Sequence, residues 1–124
     1  MKILVVDDSS TMRRILINTI HTLGSHDIVE AENGADALAK LQESNGADLI
    51  LTDWNMPVMN GLEFLKQVMA GPYKGVPVIF VTTESEKCKV VEALRNGARN
   101  YVVKPFTPEI LKEKIKQALQ THGA

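Results

Sequence analysis

Asp7 and Asp8 stand side by side at the end of the first apolar run of the chain, and Asp53 ends another apolar run 45 residues after Asp8. Carboxylates gathered at one place repel one another and raise each other's pKa unless a cation joins them. An all-oxygen acidic set suits a hard divalent ion, Mg²⁺ first among them. The requirement is that two distant segments deliver their acids to the same spot. Lys2-Ile3-Leu4-Val5-Val6 and Asp48-Leu49-Ile50-Leu51-Thr52 are short, aliphatic and free of polar alternation, which predicts strands buried on both faces of a parallel sheet. Each strand then carries its acids at its carboxyl end, the edge where open α/β sheets bind ligands, in the crevice where strand order reverses. Asp7 and Asp8 would also be favourable at the positive end of a following helix capped by Ser9 or Ser10. That use leaves Asp53 unexplained.

The elements that must position these groups repeat one alternation five times. Strands are predicted to begin near Ile3, Asp27, Leu49, Val78 and Tyr101, and each is followed by an amphipathic segment. The first helix carries Met12, Ile15, Leu16, Thr19, Ile20 and Leu23 on one face and stops at Gly24. The second runs from about Gly34 to Gln42 with Ala37, Leu38 and Leu41 inward; the third runs from Gly61 to Ala70 with Leu62, Leu65, Val68 and Met69 inward, closed by Gly71-Pro72. The fourth, about Glu86 to Asn96, is expected to bury Val90, Val91 and Leu94. The fifth starts with Thr107 as N-cap and Pro108 in the first turn, and turns Ile110, Leu111, Ile115, Ala118 and Leu119 inward. Strands alternating with single helices imply right-handed crossovers and a parallel sheet covered on both faces, an α/β fold. Val76 to Val81 runs into Thr82, and Tyr101-Val102-Val103 runs into Lys104-Pro105. A parallel sheet therefore brings Thr82 and Lys104 to the edge that holds Asp7, Asp8 and Asp53.

Composition narrows the class. With 124 residues, 44% hydrophobic and 23% charged, the expectation is one domain over 1–124 with no second domain or linker. The lone Cys88 allows no internal disulfide, and no leader or run of 18 apolar residues is seen, so a soluble cytoplasmic protein without membrane insertion is expected. A net charge of −1 gives no support to nucleic-acid binding through bulk charge. The charge is unevenly spread: residues 1 to 83 hold 6 basic and 10 acidic groups, residues 84 to 124 hold 8 and 5. The basic half could face an acidic partner. His21, His26 and His122 show no ligand spacing, and Cys88 is expected on a helix without redox work. Neither a dinucleotide fingerprint nor a nucleotide-triphosphate phosphate loop occurs.

Four stretches taken in order carry a family resemblance: Val5-Val6-Asp7-Asp8-Ser9-Ser10-Thr11-Met12-Arg13-Arg14, Thr52-Asp53-Trp54-Asn55-Met56-Pro57, Val81-Thr82-Thr83-Glu84 and Tyr101-Val102-Val103-Lys104-Pro105-Phe106-Thr107. Over its whole length the chain resembles a receiver domain of bacterial two-component signalling, of the single-domain chemotaxis type without an effector domain. The resemblance, not the spacing, implies a flavodoxin-like doubly wound (βα)5 fold with strand order 2-1-3-4-5. It also implies that Asp53 accepts a phosphoryl group from the phosphohistidine of a chemotaxis histidine kinase, CheA. Mg²⁺ would be held by Asp8 and Asp53, by Asp7 through water, and by the backbone carbonyl of Asn55. Lys104 and Thr82 would contact the phosphoryl oxygens, and Thr82 with Tyr101 would switch the surface of the fourth helix, fifth strand and fifth helix toward the flagellar motor switch protein FliM. Asn55 and Glu84 would set the rate of self-dephosphorylation, with a separate phosphatase as a further partner. A monomer is expected, with a cis Lys104-Pro105 bond. Thr83 departs from the small alanine usual after the switch threonine and is expected to crowd the phosphoryl.

Two rivals share parts of this pattern. A flavodoxin would use Ser9, Ser10 and Thr11 around a flavin phosphate, but Asp7 and Asp8 would repel it. An aspartyl-phosphate phosphatase needs a second Asp two residues after its nucleophile, where this chain has Asn55.

Overall fold

The computed structural model describes residues 1–121; His122 lies outside them. Five strands and five helices alternate: β1 Lys2–Val6, α1 Ser10–Leu23, β2 Asp27–Ala31, α2 Gly34–Glu43, β3 Leu49–Asp53, α3 Gly61–Ala70, β4 Val78–Thr82, α4 Val90–Arg95, β5 Asn100–Val103 and α5 Pro108–Thr121. The strands form one parallel sheet in the order β2-β1-β3-β4-β5, the flavodoxin-like doubly wound arrangement.

Side chains that alternate along each strand feed two separate cores, which is why these strands show no polar alternation. Leu4, Val6, Ile50, Val78 and Phe80 pack with Ala37, Leu41, Phe64, Leu65, Val68 and Ala93 beneath α2, α3 and α4. Ile3, Val5, Leu49, Leu51, Ile79, Val81 and Val102 pack with Leu16, Ile20, Leu111, Ile115 and Ala118 beneath α1 and α5. Helix starts follow capping chemistry: Ser9 accepts from Met12 N–H, Asn33 from Asp36 N–H, and Thr107 from Ile110 N–H. α3 opens with a reciprocal box in which Asn60 and Glu63 satisfy each other's backbone N–H. α1 ends at Gly24, whose φ of 149° suits glycine.

Several sequence expectations shift. β3 begins at Leu49 rather than Asp48, whose carboxylate instead accepts from Lys2 N–H at 2.8 Å, and the strand extends to include Asp53. β4 likewise includes Thr82, so both residues are the last of their strands. The fourth helix splits into a 3₁₀ turn over Glu84–Lys89 and α4 proper. α4 is less than two turns long, so one stripe, Val90 and Ala93, meets the sheet; Val91 and Leu94, one residue further round, are 53% and 42% exposed. For the same reason of stripe width, Ile15, Ile110 and Leu119 face outward while Leu16, Leu111, Ile115 and Ala118 are buried. Phe64, absent from the expected inward face of α3, is fully buried. The Lys104–Pro105 bond is cis.

Candidate functional site

Because every strand runs the same way, the residues that end β1, β3, β4 and β5 meet at one edge. β1 lies between β2 and β3, so the chain reverses its winding direction there, and the acids gather at that crevice. Asp7, Asp8 and Asp53 each bring a carboxylate oxygen within 4.8 Å of the others. Asp7 is nearly fully buried, Asp8 exposed and Asp53 between them.

The surroundings fix the first and third acids. Asp7 N–H donates to the Ala31 carbonyl at 3.1 Å, its Oδ1 accepts from Ser9 N–H at 2.9 Å, and its carbonyl accepts from the Arg13 guanidinium at 2.6 Å. Asp53 Oδ1 accepts from Trp54 N–H at 2.7 Å. Lys104 Nζ stands between them, 3.7 Å from Asp7 Oδ2 and 3.8 Å from Asp53 Oδ1. Those separations make ion pairs but exceed hydrogen-bond length. One ammonium cannot balance three acids: burial, and then the Asp7 charge, push the Asp53 carboxyl up to about 6 against the opposing pull of Lys104 and Trp54 N–H. Burial also raises Asp7, against its Ser9 bond and Lys104.

Asp7 Oδ2 is buried without a hydrogen-bond partner. A buried carboxylate oxygen left in that state costs free energy that a bound cation would offset. Three convergent carboxylates, one of them holding an orphaned oxygen, are a donor set that fits a hard divalent ion.

The rest of the edge is assembled as follows. Thr82 is buried, and its hydroxyl makes a long 3.3 Å bond to the Thr83 carbonyl, leaving it weakly held. Lys104 is anchored through its backbone N–H to the Thr82 carbonyl at 2.7 Å. Tyr101, half-buried on β5, lies under Lys114 Nζ, 4.6 Å from the ring centroid. Trp54 packs on Phe80 with ring centroids 5.0 Å apart, and Lys89 Nζ stands 5.8 Å over its ring. Glu84 is directed elsewhere: it is exposed and pairs with Lys87 at 3.9 Å. The carboxylate that reaches the exposed Asn55 side chain belongs to Glu86. Thr83, expected to crowd the site, turns its hydroxyl toward Ser85 and Glu86, at 3.0 Å each.

Sequence reasoning missed two positioning residues. Glu86 was signalled by Thr83-x-x-Glu86, the spacing of a capping box, which the structure contains. Gly61 donates to the Trp54 carbonyl at 2.9 Å, and a side chain there would overlap the Asp53 carbonyl and crowd the Phe80 ring. The Asn60 cap followed by Gly61 was its signal.

A cluster of three convergent carboxylates with a lysine and a threonine, at the carboxyl edge of a 2-1-3-4-5 sheet, is the arrangement of a signalling receiver, and residues 3–116 match the response regulator receiver domain family. The chain belongs to that family. Within it, the chain is similar to the chemotaxis protein CheY1 of Helicobacter pylori, with 52% identity over 98% of this chain and 99% of that protein. It is also similar to the chemotaxis protein CheY homolog of Campylobacter jejuni, with 53% identity over 98% and 94%. The solved chemotaxis response regulator CheY4 of Vibrio cholerae superimposes with a TM-score of 0.84 at 39% identity, covering 94% of this chain and 97% of that one. This is therefore a CheY-like chemotaxis receiver domain. No helix among the described residues is long and apolar enough to cross a membrane.

Proposed function

We propose that Asp53 is the phosphoacceptor of a chemotaxis switch working in the cytoplasm as a monomer, loaded by the phosphohistidine of a kinase of the CheA kind. An Asp53 carboxylate oxygen forms a bond to phosphorus as the P–N bond to the imidazole breaks, and the imidazole leaves with a proton. The observation that carries this reading is the Asp7–Asp8–Asp53 cluster with Lys104 paired to both Asp7 and Asp53. Asp7, Asp8, Asp53 and the Asn55 backbone carbonyl would hold Mg²⁺. When bound, the ion neutralises charge on the phosphoryl oxygens and lets a carboxylate act as nucleophile.

The chain's own groups do the rest. Lys104 presents a fixed positive charge to the phosphoryl oxygens, and the weakly held Thr82 hydroxyl turns to donate to them. Turning empties space beside β5, and Tyr101 leaves Lys114 to fill it. A shift from 1:99 to 99:1 between two states needs ~5.5 kcal/mol. Two or three charge-assisted hydrogen bonds at ~1.5–3 kcal/mol each supply it. The altered α4–β5–α5 surface, on which Val91, Leu94, Ile110, Lys112 and Lys116 are all exposed, then docks an apolar and acidic segment of the motor switch protein FliM. Water attack on phosphorus, with Asp53 as leaving group, ends the signal. Asn55 and Glu84 tune that rate, and a separate phosphatase adds to it. The protein transfers phosphoryl only onto and off itself, and its partners are proteins rather than nucleic acid.

The test is stoichiometric. With Mg²⁺ and acetyl phosphate the chain should gain one base-labile phosphate, and Asp53→Asn should gain none while keeping its far-ultraviolet spectrum. Equal labelling of Asp53→Asn would move the nucleophile elsewhere.

A further inference from the structure

One carboxylate beside the site takes no part in the chemistry above. Glu86 lies on the 3₁₀ turn after β4, and its Oε1 accepts from the Thr83 hydroxyl at 3.0 Å and, more weakly, from Thr83 N–H at 3.4 Å. Its other oxygen accepts from the Asn55 side-chain amide. Thr83 directly follows Thr82 at the end of β4, and Asn55 comes two residues after Asp53 at the end of β3. β3 and β4 are neighbours, so Glu86 ties together the two loops that flank the Asp53 carboxylate. Its negative charge acts on Asp53, adding to the groups that disfavour a second anion there. The two lysines of the same turn are otherwise engaged, Lys89 over Trp54 and Lys87 with Glu84, and Lys104 pairs with Asp7 and Asp53.

An incoming phosphodonor is itself anionic. It meets a side chain that is both an electrostatic barrier and a mechanical tie between the loops. We propose that Glu86 is a positioning residue that limits phosphoryl entry: held by Thr83, it pins the Asn55 amide and keeps a negative charge beside Asp53 until the arriving phosphoryl displaces it. This rests on the phosphoacceptor reading of Asp53. It makes Thr83, in the place where alanine is usual, the anchor of the tie rather than an obstruction.

The test uses the full chain with Mg²⁺ and acetyl phosphate as donor, following Trp54 fluorescence and confirming phosphate on Asp53 by mass. Glu86→Gln keeps the side chain's shape and one of its two acceptor oxygens while removing the charge. It should be phosphorylated roughly three- to tenfold faster at low salt, the size of one screened charge acting on an anionic donor. The gain should shrink as added salt screens the parent's charge, a dependence that a merely structural residue would not produce. Thr83→Val, which leaves Glu86 charged but removes the hydroxyl, the shorter of its two bonds to Thr83, should show a smaller gain in the same direction. If the parent is phosphorylated on Asp53 and Glu86→Gln is no faster at any salt, the tie is overturned and the phosphoacceptor reading stands. If the parent takes no more phosphate than Asp53→Asn, that reading fails and the tie with it.

Discussion

The acidic end of β1 and β3 and the segment from Thr82 to Val103 are built to opposite standards. β1 and β3 are central strands with both faces buried, and Asp7 and Asp53 are held by backbone N–H groups from Ser9 and Trp54. From Thr82 onward the chain runs through a 3₁₀ turn with no buried residue, a six-residue helix with two exposed apolar side chains, and a four-residue edge strand. In-line phosphoryl transfer needs groups fixed to within a fraction of an ångström, which the central strands supply. A switch needs an element of low local stability, which sparse packing supplies. This difference in packing supports the proposal that the central strands carry the chemistry and the segment from Thr82 to Val103 responds.

Truncating apolar side chains should expose that asymmetry most strongly. Phe64→Ala, beneath the fixed half, should cost ~3–5 kcal/mol, whereas Val91→Ala on the other half should stay within ~0.5 kcal/mol, both read by urea unfolding. A similar loss at both positions would erase the distinction.

The next effect is electrostatic and belongs to the fixed half alone. Asp53 titrates at about 6 in the folded chain, above its usual value of 3.8. A folded pKa raised this way means that the native state holds its proton more tightly than the unfolded chain. The stability it contributes is complete below about pH 4 and is lost as pH rises through about 6. Without divalent metal, Asp53→Asn should thus exceed the parent by up to ~3 kcal/mol at pH 8 and by little at pH 4, measured by denaturant unfolding. Mg²⁺ should narrow the gap at pH 8 by stabilising the parent's carboxylates. A gap independent of pH would contradict the buried, acid-crowded site.

Caps give the smallest contrast. Asn60→Ala removes a complete box from α3 and should cost ~1 kcal/mol, while Thr83→Ala opens a 3₁₀ turn that carries little packing and should cost only a few tenths. Equal costs in thermal unfolding would show the turn after β4 to be as firmly built as α3.

The fixed half was also the more legible in the sequence. Ile3 to Val6 and Leu49 to Leu51 are apolar without interruption because two cores demand it, and that pattern leads directly to Asp7, Asp8 and Asp53. Strand ends slipped by a residue at Asp48 and Thr52, since nothing in composition marks where pairing stops. Strand order and the cis bond before Pro105 came through family resemblance, because spacing alone does not say which parallel strand lies beside which. The responsive half was harder. Val90-Val91 followed by Leu94 satisfies two helical stripes, and only the sheet decides that Val90 and Ala93 turn inward. Glu84 and Glu86 are equivalent as composition; the hydrogen bonds to Thr83 and Asn55 separate them.

The comparison between the halves is tested most directly by amide hydrogen exchange, with and without beryllofluoride as a phosphoryl mimic in the presence of Mg²⁺. The mimic should change protection mainly between Thr82 and Val103 and at the start of α5, with β1 and β3 already fully protected in both states, and Tyr101→Ala should blunt the change. Changes confined to the loops that hold Asp8 and Asp53, with residues 82 to 103 unaltered, would contradict it.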